Sequence, residues 1–185
     1  QHLLEYPLVE QLKRVCGKVS TMQESYYNYW QDDPIVEQIW YFNFLQEMDL
    51  IFCHNDIDLS YYKGLTGKRC ELMPTLMIED VLDRELPEKQ DKVIIGGNFV
   101  RWYGGFNSYM TALQYDVPIW APSMGRKKSD EDNVDGLHHL PYLEWKEWIY
   151  KLAEFKYAVH LNPNTIGGTF SLNCGYLGIP CIGNI

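Results

Sequence analysis

The chain has 185 residues, 46% of them hydrophobic and 22% charged, a balance that excludes a disordered chain. A net charge of −9 excludes a bulk electrostatic grip on nucleic acid or an anionic membrane. The five cysteines are odd in number and form no C-x-x-C pair, which argues against a disulfide framework or zinc site. No apolar run approaches the ~20 residues of a membrane span, no signal peptide is visible, and the expected setting is the reducing cytoplasm.

Leu8, Val9, Leu12, Val15 and Cys16 follow helical spacing up to Gly17, and Lys18 to Gln23 reads as a short strand. An aromatic loop, Tyr26 to Trp30, follows. Asp32 and Asp33 before Pro34 mark a helix start, because proline suits the first turn and carboxylates favour the N-terminal dipole. Ile35, Ile39, Phe42 and Leu45 form the expected inner face of that helix. Asp49 to His54 is a buried-strand signal, Asn55 or Asp56 can cap the next helix, Gly67 stops it, and Lys68 to Met73 is a third strand. Residues 78–90, charged and containing Pro87, read as a linker.

A second series opens with Lys92 to Gly97, a strand running into glycines. Further strands are expected at Val117 to Ala121, Asp135 to Leu140, Tyr157 to Leu161 and Ile179 to Gly183. Helices are expected at about Phe106 to Tyr115, Leu143 to Phe155 and Thr169 to Leu177. Alternating strands and helices mean βαβ units and parallel sheets, so the expected class is α/β with two Rossmann-like domains.

Ligands of open parallel sheets bind beyond the carboxyl ends of the strands. Three such ends carry candidate residues. The first is the glycine-rich run Gly96 to Gly105, where Gly97 and Asn98 offer backbone groups and Arg101 can grip a phosphate with two hydrogen bonds. Its spacing is not that of the dinucleotide fingerprint. The second is His160 to Ser171, where Gly167 and Gly168 precede a helix whose free N–H groups attract an anion, and Thr169 and Ser171 add hydroxyls. The third is the Leu140-Pro141-Tyr142 turn, a floor for a planar base. Arg126 and Lys127 belong to the one tight basic cluster, which also reads as a solvated loop. His54 and Glu24 are weak catalytic candidates; a capping cluster is the stronger reading for His54 with Asp56 and Asp58. His138 and His139 point to opposite faces of a strand and make a poor metal pair, so no metal site is expected.

With these elements placed, the chain resembles the GT-B glycosyltransferases, especially their large retaining group. The resemblance runs over Asp49-Leu-Ile-Phe-Cys-His-Asn55 and Glu71-Leu-Met-Pro74, then Gly97 to Leu113, then Tyr142-Leu-Glu-Trp-Lys-Glu-Trp-Ile149. It is most specific in Gly168-Thr-Phe-Ser-Leu-Asn-Cys-Gly-Tyr-Leu-Gly-Ile-Pro-Cys-Ile-Gly183, where Gly178-Ile-Pro180 falls at the family's Gly-x-Pro turn. Two glutamates that the family often carries around this turn align with Thr165 and Asn173. The resemblance implies residues 1–77 as the end of an acceptor-side domain, 78–90 as linker and 91–185 as the start of a nucleotide-sugar-binding domain, both domains incomplete. It also implies metal-independent transfer from a nucleotide-diphosphate sugar, which is substrate rather than cofactor, to a glycan, lipid-linked sugar or other acceptor. Gly97, Asn98, Arg101, Arg126, Lys127, Tyr142, Thr165, Gly167, Gly168, Thr169, Phe170 and Asn173 would contact the nucleotide. Alternatives are a non-catalytic or truncated nucleotide-binding relative, a nucleotide-sugar epimerase, or an interaction module built on the aromatic patches.

Overall fold

The computed structural model describes residues 5–23, 26–27, 29–99, 103–123, 130–162 and 169–183. The chain forms two compact units, Gln1–Thr75 and Leu76–Ile185.

In the first unit, α1 (Glu5–Cys16) leads to β1 (Ser20–Gln23), and a short 3-10 helix (Tyr29–Asp32) leads to α2 (Ile35–Gln46). Then come β2 (Leu50–Cys53), α3 (Asp56–Thr66) and β3 (Cys70–Leu72). The strands form a parallel sheet in the order β1-β2-β3. Val9, Leu45, Met48, Ile51, Cys53 and Tyr62 make its core. Each fully buried large side chain of this kind contributes about 1.5–3 kcal/mol. α3 is bounded as its sequence dictates: the Asn55 side chain accepts from the Asp58 N–H, and Gly67, in the left-handed region at φ 65°, returns its N–H to the Lys63 carbonyl.

α2 departs from expectation. Leu45 is buried, but Ile35 and Ile39 are exposed. The side that meets the core carries Tyr41, Phe44, Leu45 and, just beyond the helix, Met48. The sequence IVEQIWYFNFLQ is apolar nearly all round, so its spacing does not select one face.

The second unit contains β4 (Gln90–Ile95), α4 (Gly105–Ala112), β5 (Ile119–Ala121) and β6 (Leu137–His139). It continues with α5 (Trp145–Ala153), β7 (Phe155–His160), α6 (Thr169–Tyr176) and β8 (Cys181–Gly183). All pairs are parallel and the order is β6-β5-β4-β7-β8. Clusters cover both sheet faces, one around Ile149, Leu152, Phe155 and Cys174, the other around Val93, Ile95, Ala112 and Val159. Residues 78–90 lie against this unit: Leu82 packs on its core and the Arg84 N–H donates to the Tyr150 hydroxyl at 3.0 Å. His138 tilts onto Trp120 while His139 Nε2 lies 3.1 Å from Glu131, so the two rings do go to different sides. No helix among the described residues is long and apolar enough to cross a membrane.

Candidate functional site

The strand order of the second unit reverses between β4 and β7. Loops leaving the carboxyl ends of two such strands diverge to opposite sides of the sheet and leave a crevice, the usual ligand position in this architecture.

The wall from β4 to α4 is closed by backbone packing. Gly97 has φ 76°, and a Cβ there would lie 3.0 Å from that of Tyr103. Gly104 has φ 65°, and its Cβ would overlap the Leu161 carbonyl, with the carbonyl carbon at 2.8 Å. A Cβ on Gly105 would come within 2.9 Å of the Phe99 nitrogen, and one on Gly96 within 2.6 Å of the His160 ring. These glycines therefore let the chain approach itself, where the sequence suggested approach to a ligand. The Gly105 N–H donates to the Asn98 carbonyl at 3.1 Å, and Asn98 is buried.

Ser108 locks α4 to the exit of β7. It is fully buried, its hydroxyl donates to the Gly104 carbonyl at 2.9 Å, and it accepts from the Leu161 N–H at 2.9 Å. His160, the last residue of β7, sits against Gly96 and meets Phe170 edge-on at 5.1 Å between ring centroids. Burial pushes its imidazole below the ordinary histidine pKa, so the ring is neutral at pH 7. Sequence reasoning gave neither residue a role. A histidine ending a central strand was a usable signal; a serine in the first turn of a helix was not.

α6, the next element after β7, carries Thr169, Phe170 and Asn173, and the Phe170 ring meets that of His160 at the end of β7. Phe170 packs against the ring of Trp148 as well as that of His160. Thr169 is exposed. Asn173 is 1% exposed, and its Nδ2 has no acceptor among the described residues. An unmet buried donor costs about 1–3 kcal/mol. The helix ends as the Gly-x-Pro reading requires: Gly178 adopts φ 61°, the Leu177 N–H returns to the Asn173 carbonyl at 3.0 Å, and Pro180 leads into β8.

Tyr142 is 66% exposed, so its ring face is open rather than packed under the turn. Glu24, Arg101, Arg126, Lys127, Thr165, Gly167 and Gly168 lie outside the described residues. His54 belongs to the first unit, where its Nδ1 lies 2.9 Å from the Met73 carbonyl. Beside it, Asn55 Nδ2 donates to Asp58 at 2.8 Å, and Asp58 also accepts the Tyr27 N–H at 3.1 Å, which is the arrangement of a helix cap. A groove of about 580 Å³ in the second unit runs along α5 between Trp120, Leu140 and Tyr150 down to Glu154. Glu154 lies just before β7 begins, so that groove reaches the opposite end of the strands from the glycine turn.

No protein-family model and no curated protein matches this sequence. Solved structures do. Sucrose-phosphate synthase from Thermosynechococcus elongatus aligns with 98% of the chain at TM-score 0.69 and 11% identity. The pneumococcal O-GlcNAc transferase GtfA, solved with UDP and GlcNAc, aligns with 97% at TM-score 0.68 and 10% identity. The GtfA/B complex aligns with 96% at TM-score 0.56 and 12% identity. The chain spans 53% of the first of these chains and 39% of each of the others. The fold is therefore that of the GT-B glycosyltransferases, two Rossmann-like α/β units in sequence, of which this chain covers about half or less of each solved example.

Proposed function

We propose that the chain is part of a cytoplasmic glycosyltransferase that moves a sugar from a nucleotide-diphosphate donor to a glycan, lipid-linked sugar or other acceptor. In this reading residues 1–77 lie on the acceptor side, 78–90 join the two, and 91–185 hold the nucleotide. The observation that carries it is Asn173, a buried amide on α6 whose Nδ2 has no acceptor among the described residues. A ribose hydroxyl is the partner that chemistry supplies. Tyr142 offers its open face to the base. Gly97 and Asn98 line the approach. The diphosphate lies against the start of α6 at Thr169, and Thr165, Gly167, Gly168, Arg101, Arg126 and Lys127 are the further residues that the family resemblance assigns to it. These groups stabilise negative charge on the leaving diphosphate as the sugar departs, which lowers the barrier without a metal or other cofactor.

Calorimetric titration with UDP, GDP and ADP, with and without magnesium, tests this reading. One nucleotide should bind with or without magnesium, and Asn173→Leu should weaken it at least tenfold. Thermal stability should stay unchanged or rise by about 1 kcal/mol, because the orphaned amide is removed. Failure of all three nucleotides to bind the unaltered chain would end the proposal.

A further inference from the structure

The aromatic loop of the first unit has no part in the site above. It forms, with α2, a pocket of about 430 Å³, within the range of about 300–1,000 Å³ usual for small-molecule sites. Tyr26, Tyr29, Trp30, Trp40 and Tyr41 line it. All five rings remain partly exposed, although covering such a ring buries about 150–250 Å². Trp30 leans on Tyr41 at 5.5 Å and 51°, and Trp40 stacks on Phe44 at 5.5 Å and 19°, so the rings are braced and still border open space.

The walls are held in place. Gln38 Nε2 donates to the carbonyls of Gln31 at 3.0 Å and Asp33 at 2.8 Å, clamping the 3-10 turn to α2. Gln31 donates to the Tyr61 hydroxyl at 3.1 Å, and the Tyr41 hydroxyl donates to Gln23. A pocket fixed before its ligand arrives loses less entropy on binding.

Beside the Gln23 amide and the tyrosine hydroxyls, the charged lining residues are of one sign. Asp33 and Glu37 bring two carboxylates, which accept hydrogen bonds and repel anions. Trp30 adds a buried indole N–H that meets no acceptor among the described residues. A pyranose ring matches this set: its C–H face lies on aromatic rings and its hydroxyls donate to carboxylates. A phosphate, nucleotide or uronic acid would meet two like charges.

We propose that this pocket is a saccharide-binding site for an uncharged sugar ring. Its assignment as the seat of the acceptor rests on the glycosyl-transfer reading; sugar binding itself does not. The test is saturation-transfer NMR on the whole chain with lactose, maltose, cellobiose and diacetylchitobiose, and with glucuronic acid and choline for comparison. At least one disaccharide should bind through ring C–H protons, Trp30→Ala should weaken it at least tenfold, and paired Asp33→Asn and Glu37→Gln changes about threefold or more. Nucleotide binding, titrated in parallel, should be the same in every variant. Absence of binding by all four disaccharides, or equal binding to Trp30→Ala, would overturn the proposal. So would tighter binding of glucuronic acid or choline than of any disaccharide. If near-UV dichroism shows Trp30→Ala to be unfolded, the paired carboxylate variant decides, and undiminished binding there overturns the site. Loss of nucleotide binding alone would sink the transfer reading and leave the sugar pocket standing.

Discussion

Gly104→Ala, set against Gly136→Ala, measures how tightly the β4–α4 turn is locked to β7. Both glycines have positive φ, 65° and 77°, so alanine pays a left-handed strain of about 1–2 kcal/mol at either site. Both substitutions also remove the same unfolded-state entropy, which cancels in the comparison. The surroundings differ. A Cβ at Gly136 meets nothing within 4 Å, whereas at Gly104 it overlaps the Leu161 carbonyl and stands 3.2 Å from the Asn162 Cα. Ordinary carbon contacts are about 3.5–4.0 Å, and the obstacle is backbone that cannot rotate aside. Forcing the two segments apart costs about 1–3 kcal/mol of overpacking. Stretching the Ser108 bond to the buried exit of β7 adds about 1 kcal/mol. Gly136→Ala should therefore cost about 1 kcal/mol and Gly104→Ala about 4 kcal/mol. Urea unfolding by far-ultraviolet dichroism reads both, since both residues lie in the second unit. Calorimetry with the nucleotide that binds should show loss of affinity in Gly104→Ala only. Equal midpoints for the two variants would refute the interlock, because they would mean that β7 yields without cost.

Two further predictions use titration and capping. Burial lowers the His160 pKa, so the unfolded chain takes up that proton more readily than the folded one. This contribution to stability is present in full above about pH 6.5 and is lost as pH falls toward the lower folded value. Thermal melts between pH 8 and pH 5 should show a smaller loss in His160→Gln than in the unaltered chain; parallel curves would contradict the buried, neutral ring. In the first unit, Asn55→Ala removes both the cap on the Asp58 N–H and the amide that donates to the Asp58 carboxylate. Burial already raises the pKa of Asp58 against the pull of Asn55 and Tyr27, so the loss should reach about 2 kcal/mol in urea unfolding. Asn55→Ser, which keeps the capping oxygen, should recover roughly half of it.

What could be read from the sequence, and what could not, divides along physical lines. A parallel strand buried on both faces needs apolar residues at every position, so Asp49 to His54 and Lys92 to Gly97 announce themselves as β2 and β4. Helix stops such as Gly67 and Gly178 are equally plain, because left-handed backbone selects glycine. The face of α2 was not legible, since a helix apolar all round carries no phase. The purpose of a glycine was not legible either. Gly97 and Gly104 at a strand end look the same in sequence whether the space beside them holds a ligand or the chain itself, and only the path of Tyr103 and Leu161 decides. That outcome reshapes the candidate site. If backbone fills the room the glycines make, recognition falls to the few side chains around the crevice. Among the described residues near these strand ends are the amides of Asn98, Asn162 and Asn173, the neutral ring of His160, the hydroxyl of Thr169 and the rings of Phe170 and Tyr142. None carries negative charge. In a chain with a net charge of −9, a carboxylate 6 Å from a bound phosphate would oppose it by about 3 kcal/mol at an effective dielectric of about 20. Asp58 is placed instead in a helix cap, Glu154 in an ion pair and Glu37 in the aromatic pocket of the first unit. The named crevice residues are uncharged while the aromatic pocket of the first unit holds two carboxylates, so the proposed anionic donor and the proposed uncharged sugar would meet different electrostatic surroundings on one acidic chain.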